Sequence, residues 1–161
     1  MSIMNIKRIL FILVCGITAL SISSCATSGY QKHYPEQLSK KVDFDMPLSD
    51  FNDLKGTSAS DMKDESFRYV YVEEISDSEL ANIVYYFDKD GDQPLYEMIF
   101  VYKDTNTLNT AADKLLGDPN YGEEWRLEKK PYVLTAWKYK TKLVLAALIP
   151  NTEWAEKGYY D

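Results

Sequence analysis

The chain has 161 residues, with 18 Lys and Arg against 25 Asp and Glu, a net charge of −7 and an apolar share of 45%. That balance excludes a nucleic-acid partner, whose phosphates demand a basic surface, and excludes docking on anionic lipid by charge alone. Thirteen Tyr, three Trp and six Phe supply enough aromatic area for a core, so wholesale disorder is excluded as well.

The first segment reads as an export signal. Lys7 and Arg8 form a positive start, residues 9–20 are an apolar run, and the small residues Ser21, Ser23 and Ser24 follow. The run is shorter than the ~20 apolar residues that a membrane-spanning helix needs. Ile22-Ser23-Ser24-Cys25 then resembles the lipobox of bacterial lipoproteins: an aliphatic residue, two small residues and the cysteine that takes the lipid. The resemblance implies that residues 1–24 are a signal peptide and that Cys25 carries a thioether-linked diacylglycerol with palmitate-type chains. It also implies a cell-envelope lipoprotein whose domain faces the periplasm or the exterior. Each buried acyl CH₂ contributes ~0.8 kcal/mol, so several chains anchor the protein permanently. Ala26 rather than Asp after the cysteine leans, by analogy with Gram-negative lipoprotein sorting, towards the outer membrane. Loss of residues 1–24, which hold Lys7 and Arg8 and no acid, leaves 16 basic and 25 acidic side chains and a net charge of −9. Cys15 leaves with the signal, so an intramolecular disulfide and a Cys-based zinc site are both excluded.

After the cysteine, residues 25–41 are polar, lack periodicity and contain Gly29 and Pro35, which predicts a flexible tether. The only histidine, His33, lies there and is expected to be an exposed bystander. One α+β domain is expected over residues 42–156, with 157–161 as a tail. A helix over 47–55 is marked by Pro47, by Leu48, Phe51 and Leu54, and by Gly56 as a stop. Residues 67–74 (FRYVYVEE) read as a strand. Residues 83–88 and 95–102 flank Asp90-Gly91, a dipeptide suited to a tight hairpin. With that pair as the turn centre, Tyr85 faces Tyr96, and Ile83, Tyr85, Phe87, Tyr96, Met98 and Phe100 share a core face.

A second helix over 105–116 carries Leu108, Ala111, Ala112, Leu115 and Leu116 on one side, capped by Thr105 or Asn106 and stopped by Gly117. Strands follow over 124–129, 132–140 and 142–149, the last buried on both faces, and Trp154 folds back on the domain. The expected architecture is an antiparallel sheet of five to six strands with two amphipathic helices on one face. The two halves share a helix-then-strands plan.

Chemistry is sparsely signalled. Asp88, Asp90 and Asp92 around Gly91 suggest part of a calcium loop, but the glycine comes too early and a polar hairpin turn explains the residues better. No metal or cofactor is therefore expected. Glu73-Glu74 and Glu123-Glu124 offer carboxylates to a hydrolase, but strand neighbours point to opposite faces. With His33 alone in the tether, Ser-His-Asp and Cys-His machinery is excluded. The aromatic excess remains: Tyr86, Tyr102, Trp125, Tyr132, Trp137 and Tyr139 either fill a thick core or line an exposed sheet face. Tyr86, Tyr102, Trp137 and Tyr139 are the candidate partner-binding set. Leu115-Leu116-Gly117-Asp118-Pro119 followed by Trp125 resembles the helix, LG-x-P and aromatic-strand element of small outer-membrane lipoproteins of the SmpA/OmlA type. That resemblance implies a non-catalytic module that works by contact. The expected function is a membrane-anchored, non-enzymatic binding domain for an envelope protein or glycan. The alternatives are an inhibitor or immunity-type lipoprotein whose acidic surface blocks a basic envelope enzyme, and a carboxylate-based hydrolase.

Overall fold

The computed structural model describes residues 30–76, 79–128, 131–152 and 155. The expected signal, Cys25, Trp154 and the tail 157–161 lie outside them. Helix α1 (Leu48–Lys55) follows Pro47, whose fixed φ suits a helix entrance, and ends at Gly56 with φ +67°. Strands β1 (Lys63–Asp64), β2 (Arg68–Glu74), β3 (Leu80–Asp88) and β4 (Leu95–Tyr102) precede helix α2 (Thr105–Leu116), and β5 (Trp125–Glu128), β6 (Val133–Tyr139) and β7 (Lys142–Ala147) close the order. The α2 cap is Asp104 rather than Thr105 or Asn106: its carboxylate accepts the Thr107 backbone N–H at 2.8 Å.

All the pairings are antiparallel and build one seven-stranded sheet in the order β1-β2-β3-β4-β7-β6-β5. The class is α+β, and the expected five to six strands become seven through the two-residue β1 at the edge. The strand order gives the repeated plan a spatial form. One helix with three strands (α1, β2, β3, β4) meets another (α2, β5, β6, β7) edge to edge through their third strands, β4 and β7. β7 is thereby central, which is why Leu143, Val144, Leu145, Ala146 and Ala147 are all buried.

The register divides the side chains into two faces. On the inner face, Tyr71, Tyr85, Met98, Leu145, Ala136 and Trp125 form one row across six strands. Phe51 of α1 stacks on this face, its ring centroid 4.9 Å from Tyr85, 5.0 Å from Phe87 and 5.5 Å from Tyr71. The α2 end meets the same face: Trp125 Nε1 donates to the Gly117 carbonyl at 2.9 Å, and Lys138 Nζ to Asn109 at 3.0 Å.

The hairpin is shifted by one residue from the expected centre. Gln93 N–H donates to the Asp90 carbonyl at 3.0 Å, so Gly91 and Asp92 are the central residues, and Gly91 has φ +56°. Tyr85 faces Met98 rather than Tyr96. Tyr96 is the extra residue of a bulge between the Tyr86–Glu97 and Phe87–Leu95 pairs. Bulges carry no simple sequence signature, so the two-residue alternation read from the chain fails at that point.

The tether expectation is overturned from Tyr30 onward. Tyr30, Tyr34, Leu38, Val42 and Phe44 are buried in the same core as Leu95 and Leu134, so the packed domain includes residues 30–41 and does not begin at Val42. The Tyr30 hydroxyl donates to the Tyr132 carbonyl, and the Tyr132 hydroxyl donates to the Phe44 carbonyl at 3.0 Å. The Tyr30 and Tyr132 rings stack at 5.7 Å. His33 is buried, with Nδ1 2.8 Å from the Leu115 carbonyl, and so is no exposed bystander. The polar composition concealed this because the strap buries one aromatic or aliphatic residue every four or so positions, with charged residues between them.

Removing residues 26–41 is therefore expected to collapse the unfolding midpoint in urea. Tyr30→Ala in the full chain should cost about 3–5 kcal/mol and Tyr30→Phe about 1 kcal/mol. A chain starting at Val42 with an undiminished midpoint would show the strap to be dispensable.

Candidate functional site

The candidate site lies on the outer face of the sheet. Its central row is Val72, Val84, Ile99, Val144 and Trp137, each directly paired with the next across β2, β3, β4, β7 and β6. Strands lie ~4.8 Å apart, so this apolar stripe is ~19 Å long. Val72 is 47% exposed, whereas Ile99 and Val144 near the middle are buried. The row on one side is Val70, Tyr86, Glu97, Ala146, Thr135 and Arg126; the row on the other is Glu74, Asn82, Val101, Lys142 and Tyr139.

Of the four expected contact residues, Tyr86, Trp137 and Tyr139 fall on this face. Tyr139 is 56% exposed, and Tyr86 and Trp137 are half-buried. Tyr102 is a correction: it is buried at the end of β4 and belongs to the inner core. Trp125 and Tyr132 are also core residues, so the aromatic residues are divided between the core and the outer face. The Arg68 guanidinium lies 3.9 Å from the Tyr86 ring centroid and 4.9 Å from that of exposed Phe67, while its Nε donates to Glu65 at 2.7 Å. The result is a firm aromatic–cation corner at the β2 end of the stripe.

Glu97 is a buried titratable group of this face that the sequence reading did not single out as a candidate. It is buried on the outer face beside the stripe, paired with Tyr86 on one strand and Ala146 on the other. Burial pushes its carboxyl up from 4.5 to about 7, against the opposing pull of Arg68 and Lys142. The available signal was a lone carboxylate inside the otherwise apolar and aromatic strand LYEMIFVY.

The acidic turn behaves as a turn. The Asp88 carboxylate is buried and accepts the Asp90 backbone N–H at 2.8 Å. Among the described residues no group of three or more His, Cys, Asp or Glu is placed to hold a metal ion, Asp88, Asp90 and Asp92 included. Glu73 and Glu74 fall on opposite faces, with Glu73 held by Lys55 Nζ at 2.7 Å and by the Tyr85 hydroxyl. The Leu115–Pro119 element has a local explanation: Trp125 Nε1 caps the carbonyl of Gly117, where α2 ends. Among the described residues no helix is long and apolar enough to cross a membrane. Comparison with protein families, with curated proteins and with solved structures finds no match.

A carboxyl with a raised pKa in the folded state keeps its proton between pH 4.5 and 7, where the unfolded chain releases it. Its contribution therefore favours folding at low pH and is lost as pH rises through that window. Glu97→Gln removes the effect. The variant should match wild type at pH 4 and exceed its stability by on the order of 3 kcal/mol at pH 8, read from urea midpoints. Equal midpoints at pH 8 would mean that Glu97 is comfortably charged where it sits.

Proposed function

We propose that this chain is a non-catalytic binding module of the bacterial cell envelope, anchored in a membrane through lipid on Cys25, and that it holds a protein partner on the outer face of its sheet. The observation that carries this is the cross-strand row Val72, Val84, Ile99, Val144 and Trp137, with Val72, Phe67 and Tyr139 exposed around it. Contiguous apolar surface of this kind favours contact with another apolar surface. Supporting the protein over the glycan, four of the five members of the row are aliphatic and offer a sugar hydroxyl no hydrogen bond, whereas Val, Ile and aromatic side chains suit a partner's apolar ones. Supporting binding over hydrolysis, the charges that act most on Glu97 are the two cations Arg68 and Lys142 rather than a second carboxylate. The two helices meet the inner face, which leaves the outer face for the partner.

Two measurements test this reading. Cys25→Ala should remain an uncleaved, unacylated precursor, and intact mass of wild-type protein from its own membrane should show cleavage before Cys25 plus acyl chains; an unmodified Cys25 there overturns the anchor. For the face, Val72→Glu with Tyr139→Ala changes exposed residues and should leave the unfolding midpoint in place. Cross-linking in intact envelopes should lose the wild-type protein adduct at least tenfold in that variant, equivalent to about 1.4 kcal/mol. An undiminished adduct excludes the face, and capture of isolated envelope polysaccharide instead would assign it to a glycan.

A further inference from the structure

A concavity lies on the side of the strap. Residues 31–40, the sheet ends at Leu80 and Tyr102, and α2 enclose a half-open groove of about 820 Å³, within the range of small-molecule sites. Its walls are apolar through Pro35, Leu38, Leu80, Ala111 and Leu115. Lys32 and Lys40 of the strap and Lys114 of α2 also line it. Lys114 is paired with Glu36 at 3.2 Å, whereas Lys32 and Lys40 form no ion pair among the described residues.

Tyr102 supplies the decisive feature. It is 5% exposed, lines this groove, and its hydroxyl is buried without a hydrogen-bond partner among the described residues. A buried donor left unmade costs free energy that an acceptor brought by a ligand would recover. Burial and the nearby Glu79 carboxylate keep the phenol protonated, pushing its pKa up to about 12, so it acts as a donor. The same Glu79 repels an anion at that point, so the acceptor is a neutral oxygen, and negative charge belongs towards Lys32 and Lys40.

We propose that this groove binds an anionic amphiphile: an apolar acyl body along Leu38, Leu80, Ala111 and Leu115, an ester carbonyl accepting from the Tyr102 hydroxyl, and a negatively charged head at Lys32 and Lys40. The site is separate from the outer face and needs no partner protein.

The full chain in maltoside micelles, offered equimolar myristoyl lysophosphatidylglycerol, myristoyl lysophosphatidylcholine and myristate, tests this by native mass spectrometry. A one-to-one adduct with the lysophosphatidylglycerol is expected, at least fivefold above the other two. Tyr102→Phe should lower it at least fivefold while leaving the unfolding midpoint unchanged or raised, since the hydroxyl has no partner to lose. Lys32→Ala with Lys40→Ala should bring the two lysolipids to equal occupancy. Equal adducts with all three probes in wild type overturn the proposal. So does an adduct undiminished in Tyr102→Phe, or a Tyr102→Phe chain that is less stable than wild type.

Discussion

Coverage of a wide sheet by very little helix is the constraint on which the rest depends. Seven strands span six gaps of ~4.8 Å, or ~29 Å, and each helix with its side chains is only ~10–12 Å across. The eight residues of α1 are also ~12 Å long, less than half the length of nine-residue β3. Two such helices cannot dry one face, let alone two. The strap from Tyr30 to Met46 fills the remaining part of the inner face, and the Tyr30–Tyr132–Phe44 cluster fastens it. On the outer face Ile99 and Val144 are buried as well, with Tyr86, Glu97 and Trp137 among the side chains of the same face on adjoining strands.

The joining of two helix-and-three-strand halves through β4 and β7 explains where each kind of residue sits. The seam strands β4 and β7 lie side by side in the middle of the sheet, away from either edge, and KLVLAALI and LYEMIFVY are accordingly rich in apolar residues. Glu97 is the exception within the seam, and its position explains its raised pKa, because a carboxylate at the centre of a wide sheet is far from bulk water. Arg68 compensates in part. It reaches the same region from β2, yet is itself occupied by Glu65 and by the Tyr86 and Phe67 rings, so Glu97 is only partly neutralised.

What the sequence made legible follows the reach of local rules. Both helices and the six longer strands are written in periodicity, Gly stops and the Pro47 entrance, and the structure places each within a few residues of expectation. The double burial of β7 was readable from an unbroken apolar run before Pro150. Three features were not, each because its cause is long-range. β1 exists only through pairing with β2. The bulge at Tyr96 moves the pairing by one residue, which no dipeptide near Gly91 announces. The strap looks polar because only every fourth or so residue turns inward, onto strands 50 to 100 positions away. For the candidate site, Tyr86, Trp137 and Tyr139 were legible through strand alternation, whereas the same alternation puts Tyr102 on the inner side with Met98 and Phe100, where it is buried, so its inclusion rested on residue type rather than on parity.

The edges of the sheet bear on how a partner can dock. One common mode adds a strand to an exposed edge, using unpaired backbone groups. Both edges here are poor templates. β1 is two residues long and fully charged, and Asp64 is engaged by Lys89. β5 is four residues long and carries Arg126 and Glu128, which face each other at 3.3 Å. Short, charged edge strands disfavour strand addition. An incoming chain must also displace water from Lys63, Asp64 and Glu128 without recovering a continuous ladder. The outer face asks for no such rearrangement: its central row is already apolar and fixed by five paired strands, so contact costs little ordering of the sheet itself. Side-chain contact on the face, rather than backbone pairing at an edge, is the mode of recognition that this architecture leaves open.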